Sequence, residues 1–259
     1  MDSRLWLWPN LLSLDAPVVA LLWQVLFVRC FHARLGTVPS VLLGLAVWLI
    51  YAGDRMLDAW RGSDHQPRHE FYRRYWRAVL PVWATTLAIA GWMAWTQLSP
   101  ELFLRGTLLA SCAVLYLAAV QLVPEQWKAA GRKEAAVAVL FGLGASLAAW
   151  PEVETVYDIG SILLFSCLCW ANCAAIEDWE HGREARTQVM VAAAIVAVTA
   201  AILLREYRPV LGSAETAGAL GLVALDRFRG RLSPSALRVL ADAVLLTPIL
   251  FLRAAGMVV

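Results

Sequence analysis

Two groups of carboxylates stand at the ends of strongly apolar stretches, and their residue types suit cation binding. The first is Tyr51-Ala-Gly-Asp54-Arg55-Met-Leu-Asp58, which closes the run from Val38 to Ile50. The second is Ala175-Ile176-Glu177-Asp178-Trp179-Glu180-His181-Gly182-Arg183-Glu184, which closes the run from Ile162 to Ala174. Asp54 and Asp58 are four residues apart, so a helix that continues through them puts both on one face. Two carboxylates on one face repel each other unless a cation neutralises them. Mg²⁺ fits that role, because it takes oxygen ligands, keeps several waters and commonly bridges one or two carboxylates to substrate phosphates. In the second group Glu177, Asp178, Glu180 and Glu184 offer further oxygens; Glu177 or Glu180 could share a face with Glu184, though Asp178 points about 100° away from Glu177 and not all of them converge. Arg61, Arg68, Lys128, Arg132, Lys133 and Arg183 supply bases of the kind that grip phosphate. Acids for a metal and bases for phosphate, beside apolar helices, describe a site for a diphosphate head with a lipid tail.

The elements that position these groups follow from composition. The 259-residue chain is 60% hydrophobic and 16% charged, which reads as membrane-spanning segments rather than a water-soluble core. A formal net charge of +2, with no basic run interleaved with aromatics, excludes a nucleic-acid groove. Leu, Ala and Val runs without alternation predict helices, the spanning element open to such a sequence. About nine spans are expected, near 15–34, 38–58, 76–97, 101–122, 133–150, 157–177, 187–204, 209–226 and 234–255. Pro9, Pro17, Pro39, Pro100, Pro151, Pro209 and Pro234 fall at proposed starts or joints, whereas Pro81 and Pro248 lie inside spans and are expected to kink them. Among the thirteen Trp, several sit near span ends, as interfacial belts require. No cleavable signal peptide is apparent, and no linker divides residues 1–259, which read as a single transmembrane domain.

Basic residues concentrate after spans two, four, six and eight, which predicts a cytoplasmic N-terminus, an outer C-terminus and both acidic groups on the cytoplasmic side of a bacterial-type inner membrane. The five Cys read as small buried hydrophobes; three of them, Cys167, Cys169 and Cys173, fall within one span. Four His are too few for a membrane di-iron site, and Asp64 to Glu70 reads as a solvated loop. The spacing of Arg238 and Asp242 suggests a local ion pair. Mid-span stretches look mostly clean of polar groups, which favours chemistry at one membrane face over passage across it.

With those residues in view, the chain resembles the UbiA-type intramembrane prenyltransferases. The first family motif, N-D-x-x-D-x-x-x-D, is matched at Asp54 and Asp58, with Arg55 following the first of them; Ile50 and Tyr51 replace the leading Asn and Asp. The second, often N-D-I-x-D-x-E-G-D, is matched at Ile176, Asp178 and Glu180, and its leading Asn-Asp and final Asp are absent. Tyr116, Lys128, Arg132 and the segment from Glu134 to Gly144 are similar to the passage between the family's fourth and fifth helices. The D-G-x-x-A-R element of CDP-alcohol phosphotransferases is missing, since Asp58-Ala-Trp-Arg61-Gly stands there.

The resemblance implies an all-α bundle of nine transmembrane helices and a divergent member of the family. It implies Mg²⁺ at Asp54, Asp58 and Asp178, with Glu177 and Glu180 as substitute ligands. A prenyl diphosphate would be held by Tyr51, Arg61, Arg68, Tyr116, Lys128, Arg132 and Arg183, and transferred to a hydrophobic acceptor. Trp48, Tyr51, Tyr116 or Trp170 would shelter the allylic cation. The alternatives it leaves are a terpene-cyclase-like member and a lipid-binding protein that has lost turnover; outside the family stands a small-molecule transporter.

Overall fold

The computed structural model describes residues 8–61, 67–122, 132–181 and 187–255. Every element among them is helical. In chain order they are α1 (Trp8–Leu11), α2 (Asp15–Cys30), α3 (Thr37–Arg61), α4 (Pro67–Gln97), α5 (Pro100–Leu122), α6 (Arg132–Ser146), a 3₁₀ turn (Leu147–Glu152), α7 (Val156–Glu180), α8 (Thr187–Tyr207), α9 (Pro209–Phe228), a 3₁₀ turn (Arg229–Arg231), α10 (Pro234–Val244) and α11 (Pro248–Ala255). Among the described residues, seven segments are long and apolar enough to cross a membrane, so the chain is compatible with an integral membrane protein. The two expected spans outside those seven have evident physical reasons. Helix α2 has only 16 residues, and the apolar run of α9 is diluted by Ser213, Glu215 and Thr216.

Prolines set several boundaries. Pro67, Pro100, Pro209, Pro234 and Pro248 each open a helix, where the missing N–H has no intrahelical partner to lose. Pro248 therefore breaks the last span rather than kinking it, and residues 245–247 form a turn between α10 and α11. Pro81 stays inside α4, whose non-helical residue is Tyr75 (φ −106°, ψ 15°).

The chain forms two compact units, Met1–Leu21 with Gly36–Leu117, and Leu22–Leu35 with Ala118–Val259. In the first, α3 packs along α4, and α1 lies against α4. Ala52 and Ala59 form a small-residue face that receives Tyr72, flanked by Trp48, Met56, Phe71, Val79 and Trp83. Polar ties bind the N-terminal segment to this pair. Trp48 Nε1 donates to the Leu12 carbonyl (3.0 Å), and the Ser13 and Tyr72 hydroxyls share a bond of 2.8 Å. Arg55 donates to the carbonyl of Asn10. Ser13 has φ 58°, the left-handed conformation that turns the chain between α1 and α2.

In the second unit α7 is the central column, packed by α6, α8, α9 and α10. Its apolar window is 61% buried, against 6% for the windows in α4 and α5, whose Trp92, Trp95, Leu104 and Leu115 point outward. Exposed apolar surface of that extent is what a bilayer solvates. Trp23 stacks on Phe165 with ring centroids 4.1 Å apart, and its Nε1 donates to the Leu245 carbonyl (2.9 Å) in the turn between α10 and α11. Helix α7 opens with a capping box in which Thr155 and Asp158 satisfy each other's backbone N–H groups. The second oxygen of Asp158, fully buried, accepts from Arg208 Nε at 2.7 Å.

Candidate functional site

Helix α3 runs without interruption to Arg61, so Tyr51, Asp54 and Asp58 fall on one face, at i, i+3 and i+7. All three are partly buried, and each is engaged with neighbouring groups. The face is set by its neighbours on the wheel. Ala52, Arg55 and Ala59 are buried beside it, and Arg55 is committed to the Asn10 carbonyl. Asp54 and Asp58 supply two carboxylates a turn apart, the donor type that a partly hydrated Mg²⁺ ion takes, with one oxygen of Asp54 buried. Such an ion would supply neutralisation of a departing anion.

The same unit holds an apolar cavity of about 210 Å³ lined by Gly53, Met56, Leu57, Trp60, Tyr72, Trp76, Leu80 and Trp83. Its α3 residues lie on the opposite flank from Asp54 and Asp58, roughly 130° round the helix, so the carboxylates do not line it.

The second acidic group is on the last turns of α7, in the other unit. Asp178 is 2% exposed, on a face shared with Ala171, Ala174 and Ala175, all fully buried. Glu180 lies two residues on, about 160° away round the helix, and so on the opposite side. There it accepts a charge-assisted bond from Arg238 of α10. Glu177 is half exposed, with one carboxylate oxygen 3.6 Å from His181 Nδ1. The three second-motif acids therefore point in different directions, and Glu180 is held by an arginine. Trp179, between them, donates from Nε1 to Asp226 Oδ1 at 2.9 Å and fixes this end of α7 against α9.

Of the bases and aromatics expected around a diphosphate, Arg61 ends α3, Arg68 lies in the first turn of α4 and Arg132 opens α6. Tyr116 is partly buried on α5. Trp48 is committed to the core of the first unit. Lys128 and Arg183 lie outside the described residues. Among the described residues no three His, Cys, Asp or Glu side chains gather into a group that would hold an ion alone.

The sequence reading missed several groups. The Glu180–Arg238 contact joins helices far apart in sequence, and the i, i+4 spacing of Arg238 and Asp242 gave no hint of it. The mid-span stretches are also not clean. Gln24, Asn172 and Glu215 are buried in the second unit, with 2%, 3% and 0% exposure. One acid among Ala, Gly and Leu lowers the averaged hydropathy of α9 without revealing that its side chain is buried. The signal that would have found it is the single charge itself, since an intramembrane carboxylate is costly and rare.

Comparison of the chain with protein-family models, with curated proteins and with solved structures finds no match in any of the three.

Proposed function

We propose that the protein is a divergent UbiA-like intramembrane prenyltransferase, with nine membrane helices, a cytoplasmic N-terminus and a site facing the cytoplasm. It binds an isoprenoid diphosphate with Mg²⁺ and transfers the prenyl group to a hydrophobic acceptor, aromatic or lipid. The observation that carries this reading is the shared, partly open face of Tyr51, Asp54 and Asp58 at the end of an apolar helix. Asp54 and Asp58 would hold the Mg²⁺ ion, which would supply charge neutralisation for the diphosphate. Arg61 and Arg68, of the same unit, balance the charge of the leaving pyrophosphate. Tyr51 and Tyr116 border the reacting carbon, where an aromatic face stabilises a developing cation.

Binding is tested with purified protein, a radiolabelled prenyl diphosphate and Mg²⁺. Asp54→Ala and Asp58→Ala each abolish the magnesium-dependent component; wild-type-like binding in both sinks the site. Turnover is tested by adding a cell lipid extract and measuring pyrophosphate release across geranyl to longer donors.

The engagement of Glu180 by Arg238 favours a second reading, a lipid-diphosphate-binding protein of the same fold without turnover. Magnesium-dependent binding without pyrophosphate release selects that reading.

A further inference from the structure

Glu215 stands apart from both acidic motifs. It lies at the end of the second turn of α9, is fully buried, and neither carboxylate oxygen has a hydrogen-bond partner. Its face of α9 carries Leu211, Ala214, Gly218, Ala219 and Leu222, which are buried and supply no side-chain oxygen. Thr216, beside it, turns away and donates to the Ala197 carbonyl of α8 (3.2 Å). From α2 Cys30 and from α7 Cys167 lie within electrostatic range of Glu215. Arg208, at the head of α9, is within electrostatic range of Cys30 and is ion-paired with Asp158. The described residues of α8, α10 and α11 bring no charge into interaction with it.

A bare carboxylate in that setting is strongly disfavoured, so the group holds a positive partner or a proton. A metal ion wants several oxygen ligands, which this face does not offer. A proton needs one oxygen. One wall beside this face is a turn rather than a helix. One turn along the same face, a β-carbon at Gly218 would lie 3.7 Å from Thr247 Oγ1, in the turn between α10 and α11. That hydroxyl is itself buried without a partner, as is Gln24 Oε1. The turn is held from α2 by the bond from Trp23 Nε1 to the Leu245 carbonyl. A helix broken at membrane depth beside a buried ionisable group is an arrangement that membrane proteins use to bind small cations and protons.

We propose that Glu215 is a proton-binding site enclosed in the second unit, and that its proton exchanges when the turn between α10 and α11 opens. The site is independent of the diphosphate reading and uses none of its residues.

The test uses the full chain in liposomes and a membrane-soluble carbodiimide. Such a reagent adds only to a protonated carboxyl. The acid proton moves to a carbodiimide nitrogen, the carboxylate oxygen bonds the central carbon, and rearrangement leaves a stable N-acylurea. Peptide mass spectrometry then places the adduct. The expected result is modification at Glu215, lost in Glu215→Gln. Trp23→Phe, which removes the clamp on Leu245, should speed modification about fivefold, the factor corresponding to one neutral hydrogen bond. No adduct at Glu215 in either the wild type or Trp23→Phe overturns the proposal. Equal rates in those two proteins overturn the route through the turn. Protection by sodium chloride but not choline chloride overturns the proton in favour of a metal ion. Because the adduct is located in the unmutated protein, the result does not depend on Glu215→Gln folding.

Discussion

Replacing Gly212 by alanine tests how closely α8 and α9 are packed. A β-carbon at Gly212 would lie 2.6 Å from the backbone oxygen of Ala200 and 2.8 Å from Leu204 Cβ. Neither atom is the end of a flexible side chain, so the helices themselves must separate. Their separation is opposed one turn away, where Thr216 Oγ1 donates to the Ala197 carbonyl at 3.2 Å, already near the limit of a hydrogen bond. Overpacking costs about 1–3 kcal/mol and the strained bond about 1 kcal/mol more, while alanine returns about 1 kcal/mol of helix propensity. The net loss is about 2 kcal/mol.

Two controls isolate the cause. Gly91 and Gly160 meet nothing within 4 Å, so alanine there is neutral or stabilising by up to about 1 kcal/mol. At Gly221 the crowding atoms are Val244 Cγ1 (2.7 Å) and Cγ2 (3.1 Å), which Val244→Ala removes. The Gly221→Ala defect is therefore rescued by Val244→Ala, whereas alanine at Leu204 keeps the offending Cβ and does not rescue Gly212→Ala. The assay is equilibrium unfolding in mixed detergent micelles. Gly212→Ala as stable as Gly91→Ala, or rescued by Leu204→Ala, refutes the reasoning.

Arg238→Ala leaves Glu180 with 15% side-chain exposure and no cation on α10, and should destabilise by about 2–3 kcal/mol. Adding Glu180→Gln recovers most of that loss, and a double-mutant cycle measures the coupling. Asp158→Ala removes both a helix cap and the partner of Arg208, so about 3 kcal/mol is expected, against about 1 kcal/mol for Thr155→Ala, which weakens only the cap. Denaturant titration separates the two.

The helical class was legible because long apolar runs leave no other spanning structure, and Pro100, Pro209 and Pro234 marked starts that the structure keeps. The start of α4 was less legible. Expected at 76, it lies at Pro67, because Phe71 and Tyr72 dock into the first unit while Arg73, Arg74 and Arg77 depress the local hydropathy. The break at 245–247 was hidden because Pro248 reads equally as a kink or a stop. At the candidate site, the common face of Asp54 and Asp58 follows from spacing alone. The fate of Glu180 does not, since its partner comes from a helix that sequence spacing cannot place. Glu215 was visible as a lone charge in an apolar run, but its complete burial was not.

The joint between α8 and α9 is one residue, Arg208, with Tyr207 before it and Pro209 after it. If both helices enter a bilayer, that joint leaves no slack for either to enter on its own, and the two would arrive as a hairpin. The hairpin carries a guanidinium at its tip, and Asp158, which neutralises it, belongs to the helix made just before. Insertion of such a hairpin would be ordered, because the helix made before it supplies the carboxylate that its tip must find. A reporter fused at the tip would disrupt the assembly whose topology it was meant to read.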